Sequence, residues 1–281
     1  TTLFRSQGKH FAIVASEPAD GLSGALSVIQ ISSNGDLTPT DHVMDTRLSR
    51  FGEVQQVEAI TTGGHTYVVA GGSDKGITLL ELLPNGQLVH LESIAGTTST
   101  PLDDITALEI TVVGGKLQIF AATEQSGGIT VLSLDISDRG SSRVASEGGG
   151  LVTGNSQSEM IVDGDGAESF EGGGGSDTFV FVSDGEQDSI LDFDPSNDRL
   201  DLSGLPFLYD VNSLQIESTS NGAKITHREE VIVIVSHDNT SLSASEVRAA
   251  VELNINRGII PVIEASDPPV DAVNLTGSSG S

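Results

Sequence analysis

The chain contains no cysteine and no tryptophan, and only 4% of its 281 residues are aromatic. The first absence excludes disulfides, zinc-thiolate centres and cysteine nucleophiles. It does not decide the compartment, because exported proteins can be stable without bridges. The scarcity of aromatics means cores built from valine, isoleucine and leucine. Basic residues are few as well: 13 Lys and Arg against 40 Asp and Glu give a formal charge of −27. Nucleic acid and anionic membrane surfaces are excluded as partners by repulsion, and cations are favoured. No apolar run approaches the roughly 20 residues needed to span a bilayer. "TTLFRSQGKHF" lacks a signal peptide's apolar core, and Thr1 is not a natural start, so truncation or processing of a longer chain is expected. H-E-x-x-H and G-x-S-x-G do not occur and the six histidines lack zinc-ligand spacing, so no enzymatic activity is expected.

What is present is enough for a packed core, with 37% hydrophobic residues and a length that fits two domains. The amino-terminal half repeats itself at offsets of about 51 to 55 residues. "GKHFAIVA" (8–15), "GGHTYVVA" (63–70) and "GGKLQIFA" (114–121) each give a turn and a strand. A second strand follows each: "ALSVIQI" (25–31), "GITLLEL" (76–82) and "GITVLSL" (128–134). Then come "SNGDL" (33–37) and "PNGQL" (84–88), with a degenerate "SDRG" (137–140) in the third copy. Asn-Gly between apolar strands predicts hairpins, because both positions of a type I′ turn need positive φ. Several short strands per 50-residue unit read as propeller blades, with a β-sandwich of similar hairpins as the alternative. These units resemble the repeats of lactonase-like and YVTN-type β-propellers. Rings of that kind use ~4 to 8 blades, so three must be completed by upstream sequence or by other chains.

From Val144 to Asp198 there are 13 Asp and Glu and no Lys or Arg. Such a block is ordinarily a solvated linker. Its periodicity argues otherwise. Cut in nines, it reads "GNSQSEMIV" (154–162), "DGDGAESFE" (163–171) and "GGGGSDTFV" (172–180). The third fits G-G-x-G-x-D-x-U-x, with U a large apolar residue, and the other two are degraded copies in phase. Each nonapeptide predicts a glycine turn and a short strand with U inward, two making one coil. Glu159 then lies above Asp177, and Glu168 above Glu186. Stacked carboxylates need a cation, and Ca²⁺ would make of them a cage of ~6 to 8 oxygens.

The segment resembles the RTX, or haemolysin-type, calcium-binding β-roll. Asp188-Ser-Ile190-Leu-Asp192-Phe193 and Asp198-Arg-Leu200-Asp201-Leu202-Ser203 are similar to the carboxy-terminal region of serralysin-type secreted proteins. The resemblance implies Ca²⁺ ligation by position-six acids and turn carbonyls. It carries over best to Asp177 with Gly172 and Gly174, and less directly to Glu159, Asp163, Asp165 and Glu168. Asp188 matches a position that ligates the terminal ion in that family. Asp192, Asp198 and Asp201 fit turn caps equally well. "HREEV" (227–231) reads as a surface charge cluster. Strands at 213–218, 223–227 and 230–236, and a helix over 243–253 opened by Ser243 and Glu246, predict a cap.

The expectation is an all-β protein: incomplete β-propeller blades over 1–145, a parallel β-roll with a strand-and-short-helix cap over 146–260, and a flexible tail or linker over 261–281. The resemblance implies a bacterial protein exported by type I secretion, whose roll folds on extracellular Ca²⁺. The blades would bind other protein chains or a cell-surface polymer. Two alternatives stand beside it: a calcium-bridged surface-layer, filament or adhesin subunit, and the end of a lactonase-like hydrolase.

Overall fold

Three two-residue turns, Gln7-Gly8, Gly63-Gly64 and Gly114-Gly115, take positive φ at both positions. Each folds one strand back on the next. The computed structural model describes residues 1–16, 24–124, 127–146 and 148–257. The first antiparallel meander comprises β1 (Thr2–Ser6), β2 (Lys9–Ser16), β3 (Ala25–Ile31) and β4 (Leu37–Met44). The second comprises β5 (Gln56–Thr62), β6 (His65–Gly71), β7 (Gly76–Leu82) and β8 (Leu88–Ala95). The third has β9 (Ile105–Val113), β10 (Lys116–Thr123) and β11 (Gly128–Asp135).

Counted from these turns, Phe11 is equivalent to Tyr67 and Gln118, one position away from the alignment of "GKHFAIVA" with "GGHTYVVA". The first turn has a single glycine, which fills the second position, and Gln7 takes the left-handed conformation ahead of it. The two Asn-Gly pairs turn the chain as expected, but within the longer loops 32–36 and 83–87, where only Gly35 and Gly86 have positive φ.

Side chains of β6 alternate between two cores. Val68 and Ala70 pack with Phe11, Ile13, Leu26 and Val28 of the first meander. Tyr67 and Val69 pack with Ile105, Leu117 and Ile119 of the third. The sheets therefore stack in chain order, the second buried on both faces. Among the described residues they close no ring, and propeller blades are not shown. The third copy lacks a turn glycine at positive φ, since Gly140 does not adopt one. Its next strand does not fold back on β11.

That strand, β12 (Arg139–Val144), instead opens about three turns of a parallel β-solenoid. The chain runs through β13 (Gly150–Asn155), β14 (Ser158–Val162), β15 (Glu168–Gly173), β16 (Thr178–Val182), β17 (Gln187–Phe193) and β18 (Arg199–Gly204). Even-numbered strands form one parallel sheet and odd-numbered strands the other. The first coils pair at offsets of 18 residues, Leu151 with Ser169 and Ile161 with Phe179, so two nonapeptides make one coil. The expected inward residues Ile161, Phe170 and Phe179 are all buried in one core.

The cap follows as β19 (Gln215–Thr219), β20 (Gly222–His227) and β21 (Glu230–Ser236), the last parallel to β17. Helix α1 (Ala244–Ala250) opens with the expected capping box of Ser243 and Glu246. It leads to β22 (Val251–Glu252) beside β18 and β23 (Asn256–Arg257) beside β4. The tail expected over 261–281, and the last residues of the cap, lie outside the described residues.

Solenoid and meanders share a core. Met160, Val162 and Val180 point away from the solenoid interior and pack on Leu83 and Val89, so the even-numbered sheet is buried on both faces, as parallel sheets require. A polar joint lies beside it. Buried Glu81 accepts from Ser142 Oγ (2.5 Å) and pairs with His65 Nδ1 (2.8 Å) and with Arg139. Burial alone would raise the Glu81 pKa, but the His65 hydrogen bond and the Arg139 guanidinium outweigh it and hold the carboxylate ionised. Glu81→Gln is expected to cost about 1.5–3 kcal/mol, the range for hydrogen bonds to charged groups, read by urea denaturation of the full chain.

Candidate metal centre

Strand spacing in a parallel sheet places equivalent residues of successive coils ~4.8 Å apart. Acids at strand starts therefore form rows, and the solenoid has one on each edge. On the first edge, the Glu159 N–H donates to Asp177 Oδ1 (2.8 Å), and the Asp177 N–H to Asp198 Oδ1 (3.0 Å). Glu159 lies above Asp177 as expected. Asp192 accepts from the N–H groups of Gly172 (3.0 Å) and Gly173 (2.8 Å) in the coil above, so it ties coil to coil. Asp201 accepts from the Ser203 N–H (2.8 Å), as a turn cap does. A Cβ on Gly172 would strike the Asp177 carboxylate, and one on Gly154 would strike Glu159 and the Gly172 carbonyl. Glycine is needed here for close approach of backbone to acid.

The second edge differs from the expected register. The loop between β16 and β17 makes that coil longer, so Ser169 pairs with Ser189 at an offset of 20. The Glu168 N–H consequently donates to Asp188 Oδ1 (2.8 Å). Glu186, expected beneath Glu168, is exposed, and its N–H donates to Asp184. Asp165 and Gly174 are exposed too. Glu230 joins this row from β21, and Asp163 from the loop after β14. One carboxylate oxygen from each of Asp163, Asp188 and Glu230 lies within 4.8 Å of the others, and all three residues are buried. Glu230 overturns the reading of "HREEV" as a surface cluster. Glu229 is exposed at the turn, whereas Glu230 shares its strand face with buried Ile232 and Ile234. That alternation was the available signal.

Most of these acids accept one backbone N–H and leave their other carboxylate oxygen without a donor. Glu159 Oε1, Asp163 Oδ1, both carboxylate oxygens of Glu168, Asp184 Oδ2, Asp188 Oδ2 and Glu230 Oε1 are buried with no hydrogen-bond partner. Burial, then the neighbouring Asp188 charge, raises the Asp163 pKa to about 9. Burial first, with nearby carboxylates, raises Asp177 and Asp188 to about 7. Burial likewise raises Asp198 and Glu230. Such a row is costly without positive charge. Asp163 also borders a cleft of about 510 Å³ shared with Asn85 and Gln87.

The chain is thus an all-β protein with a parallel β-solenoid whose edge carries a buried acidic cluster able to hold a metal ion. No family model matches it, and no curated protein matches it. Among solved structures it is similar to the solution structure of the AlgE6R3 subunit from the Azotobacter vinelandii mannuronan C5-epimerase. The two share 24% identity, covering 48% of this chain and 92% of that chain, with a TM-score of 0.23. So poor a superposition carries neither fold nor function across.

Proposed function

We propose that this is a secreted calcium-binding protein whose acidic solenoid folds on binding extracellular Ca²⁺, with the meanders as an interaction module. The observation that carries the reading is the set of buried carboxylate oxygens without donors along the solenoid edges. An all-oxygen donor set of this charge suits a hard cation. Calcium takes ~6 to 8 oxygens at ~2.3–2.6 Å, so oxygens on opposite sides of the ion lie ~5 Å apart. One oxygen each of Asp163, Asp188 and Glu230 lies within 4.8 Å of the others, close enough for a single ion to touch all three. Magnesium needs a tighter octahedron at ~2.0–2.1 Å and sheds its waters reluctantly.

Asp163, Asp188 and Glu230, with Glu168 and Asp184 beside them, would hold an ion on the second edge. Asp177 and Glu159 would hold one on the first. Calcium there supplies positive charge that neutralises the rows. Where free calcium is scarce the rows repel and the coils come apart; where it is plentiful, binding adds to folding free energy. That is a folding switch suited to export. No described helix is long and apolar enough to cross a membrane.

A calcium titration of the full chain, followed by far-UV circular dichroism with a magnesium control, tests this. A saturable gain of β signal with calcium and not magnesium is expected. Asp177→Asn should weaken the response, and Asp103→Asn, whose carboxylate pairs with Lys75 of the meanders, should not. Equal effects would mean that general acidity governs binding; no response to calcium would sink the proposal.

A further inference from the structure

The hairpin register makes each face of the stacked meanders comparable with the next. Ile13, Leu26 and Val28 of the first sheet are equivalent to Val69, Ile77 and Leu79 of the second. Both sets are buried, the first against the second sheet and the second against the third. Their counterparts in the third sheet are Phe120, Ile129 and Val131, which among the described residues face no further sheet, and Ile129 is 70% and Val131 52% exposed.

The opposite end of the stack tells the same story. Val68, Leu80 and Leu88 of the second sheet are buried against the first. The equivalents on the first sheet's outer face are Ala12, Ile29 and Leu37, with Leu3 beside Ala12; Leu3 is 70% and Leu37 64% exposed. One end of the stack thus presents the face that every internal interface buries, and the other end presents its complement.

We infer that the open face of the third sheet docks on the open face of the first sheet in a second copy of this chain. The contact continues, between molecules, the interface already made twice within one. β1, β5 and β9 approach one another along one side of the stack. The solenoid lies against the other side, through Leu83 and Val89 and through β23 on β4, so it covers neither end. β-Propellers close as rings of ~4 to 8 sheets; if the meanders stack in that way, two copies would supply six. A head-to-tail contact that closes in this way gives a two-fold ring instead of a filament. This extends the reading of the meanders as an interaction module and does not depend on calcium.

Sedimentation equilibrium of the full chain, in calcium and in chelator, tests it. A mass of twice the 29.1 kDa protomer is expected in calcium. Leu3→Arg and Val131→Arg each damage both contacts of the ring, so either alone should give monomers with an unchanged circular dichroism spectrum. Leu151→Arg, at an exposed apolar position on the solenoid, should leave the dimer intact. A wild-type monomer at every concentration, a dimer that survives both variants, or growth without limit as concentration rises would each overturn the ring.

Discussion

Asp188→Asn and Glu230→Gln are each expected to lower calcium affinity by about a hundredfold, the upper end of what even outer-shell partners contribute. In chelator the same substitutions should stabilise the fold. The opposite signs follow from one fact. Asp188 Oδ2 and Glu230 Oε1 are buried acceptors that no donor reaches. Without an ion each carboxylate keeps one backbone N–H donor, from Glu168 or Gly185, but faces a row of like charges, and the burial of its charge opposes folding. An amide is neutral, and its NH₂ can donate to the neighbouring carboxylates, so the ion-free fold gains roughly 1–3 kcal/mol. With calcium the balance reverses, because the amide supplies one weaker oxygen and no charge. Isothermal titration of calcium, paired with thermal unfolding in chelator, reads both effects. Glu186→Gln and Asp165→Asn, at exposed positions, should move neither. Destabilisation in both conditions would show that these carboxylates hold the fold together by themselves and that the row is not an ion site.

The parts of this architecture that the sequence revealed are those written at short range. Glycine turns and one large apolar residue per nine predicted the coils, and Ile161, Phe170 and Phe179 fill the interior accordingly. The stacking of Glu159 on Asp177 followed from the same period. It failed one coil later, because the loop before β17 lengthens the repeat and slides Asp188, not Glu186, under Glu168. An error in loop length displaces every ligand assignment beyond it. Glu230 was harder still. It reaches the row only after the excursion through β19 and β20, a placement that hydrogen bonding between β17 and β21 creates. The diversion of β12 was not legible either, because the φ of Gly140, which is not positive, could not be read from its identity. Its neighbour Arg139 then commits to Glu81, a partner in the second meander.

Protons and calcium compete for the same oxygens, so acidification should partly replace the ion. Asp163 is raised to about 9, and Asp177 and Asp188 to about 7, by burial foremost and then by their carboxylate neighbours. Ordinary aspartates titrate near 3.9. Between those limits the ion-free folded chain binds more protons than the unfolded chain. The slope of stability with pH follows the protons bound unfolded minus those bound folded, and is therefore negative. The contribution of these groups in chelator is full below about pH 4 and falls as the pH rises through 7 towards 9, so the ion-free fold should be more stable at about pH 5.5 than at pH 8.5. In calcium the trend is opposed, because ligands must be deprotonated to bind, and affinity climbs over the same window. The gap between calcium and chelator should hence widen with pH, to several degrees or more in melting temperature for a chain of this size. Melting curves at about pH 5.5 and pH 8.5, with and without calcium, decide it. Parallel pH profiles in the two conditions would mean that the carboxylates with raised pKa values are not the groups calcium engages. A chelator profile that is flat across the window would mean that the rows take up water on losing the ion, which would remove the repulsion that the folding switch requires.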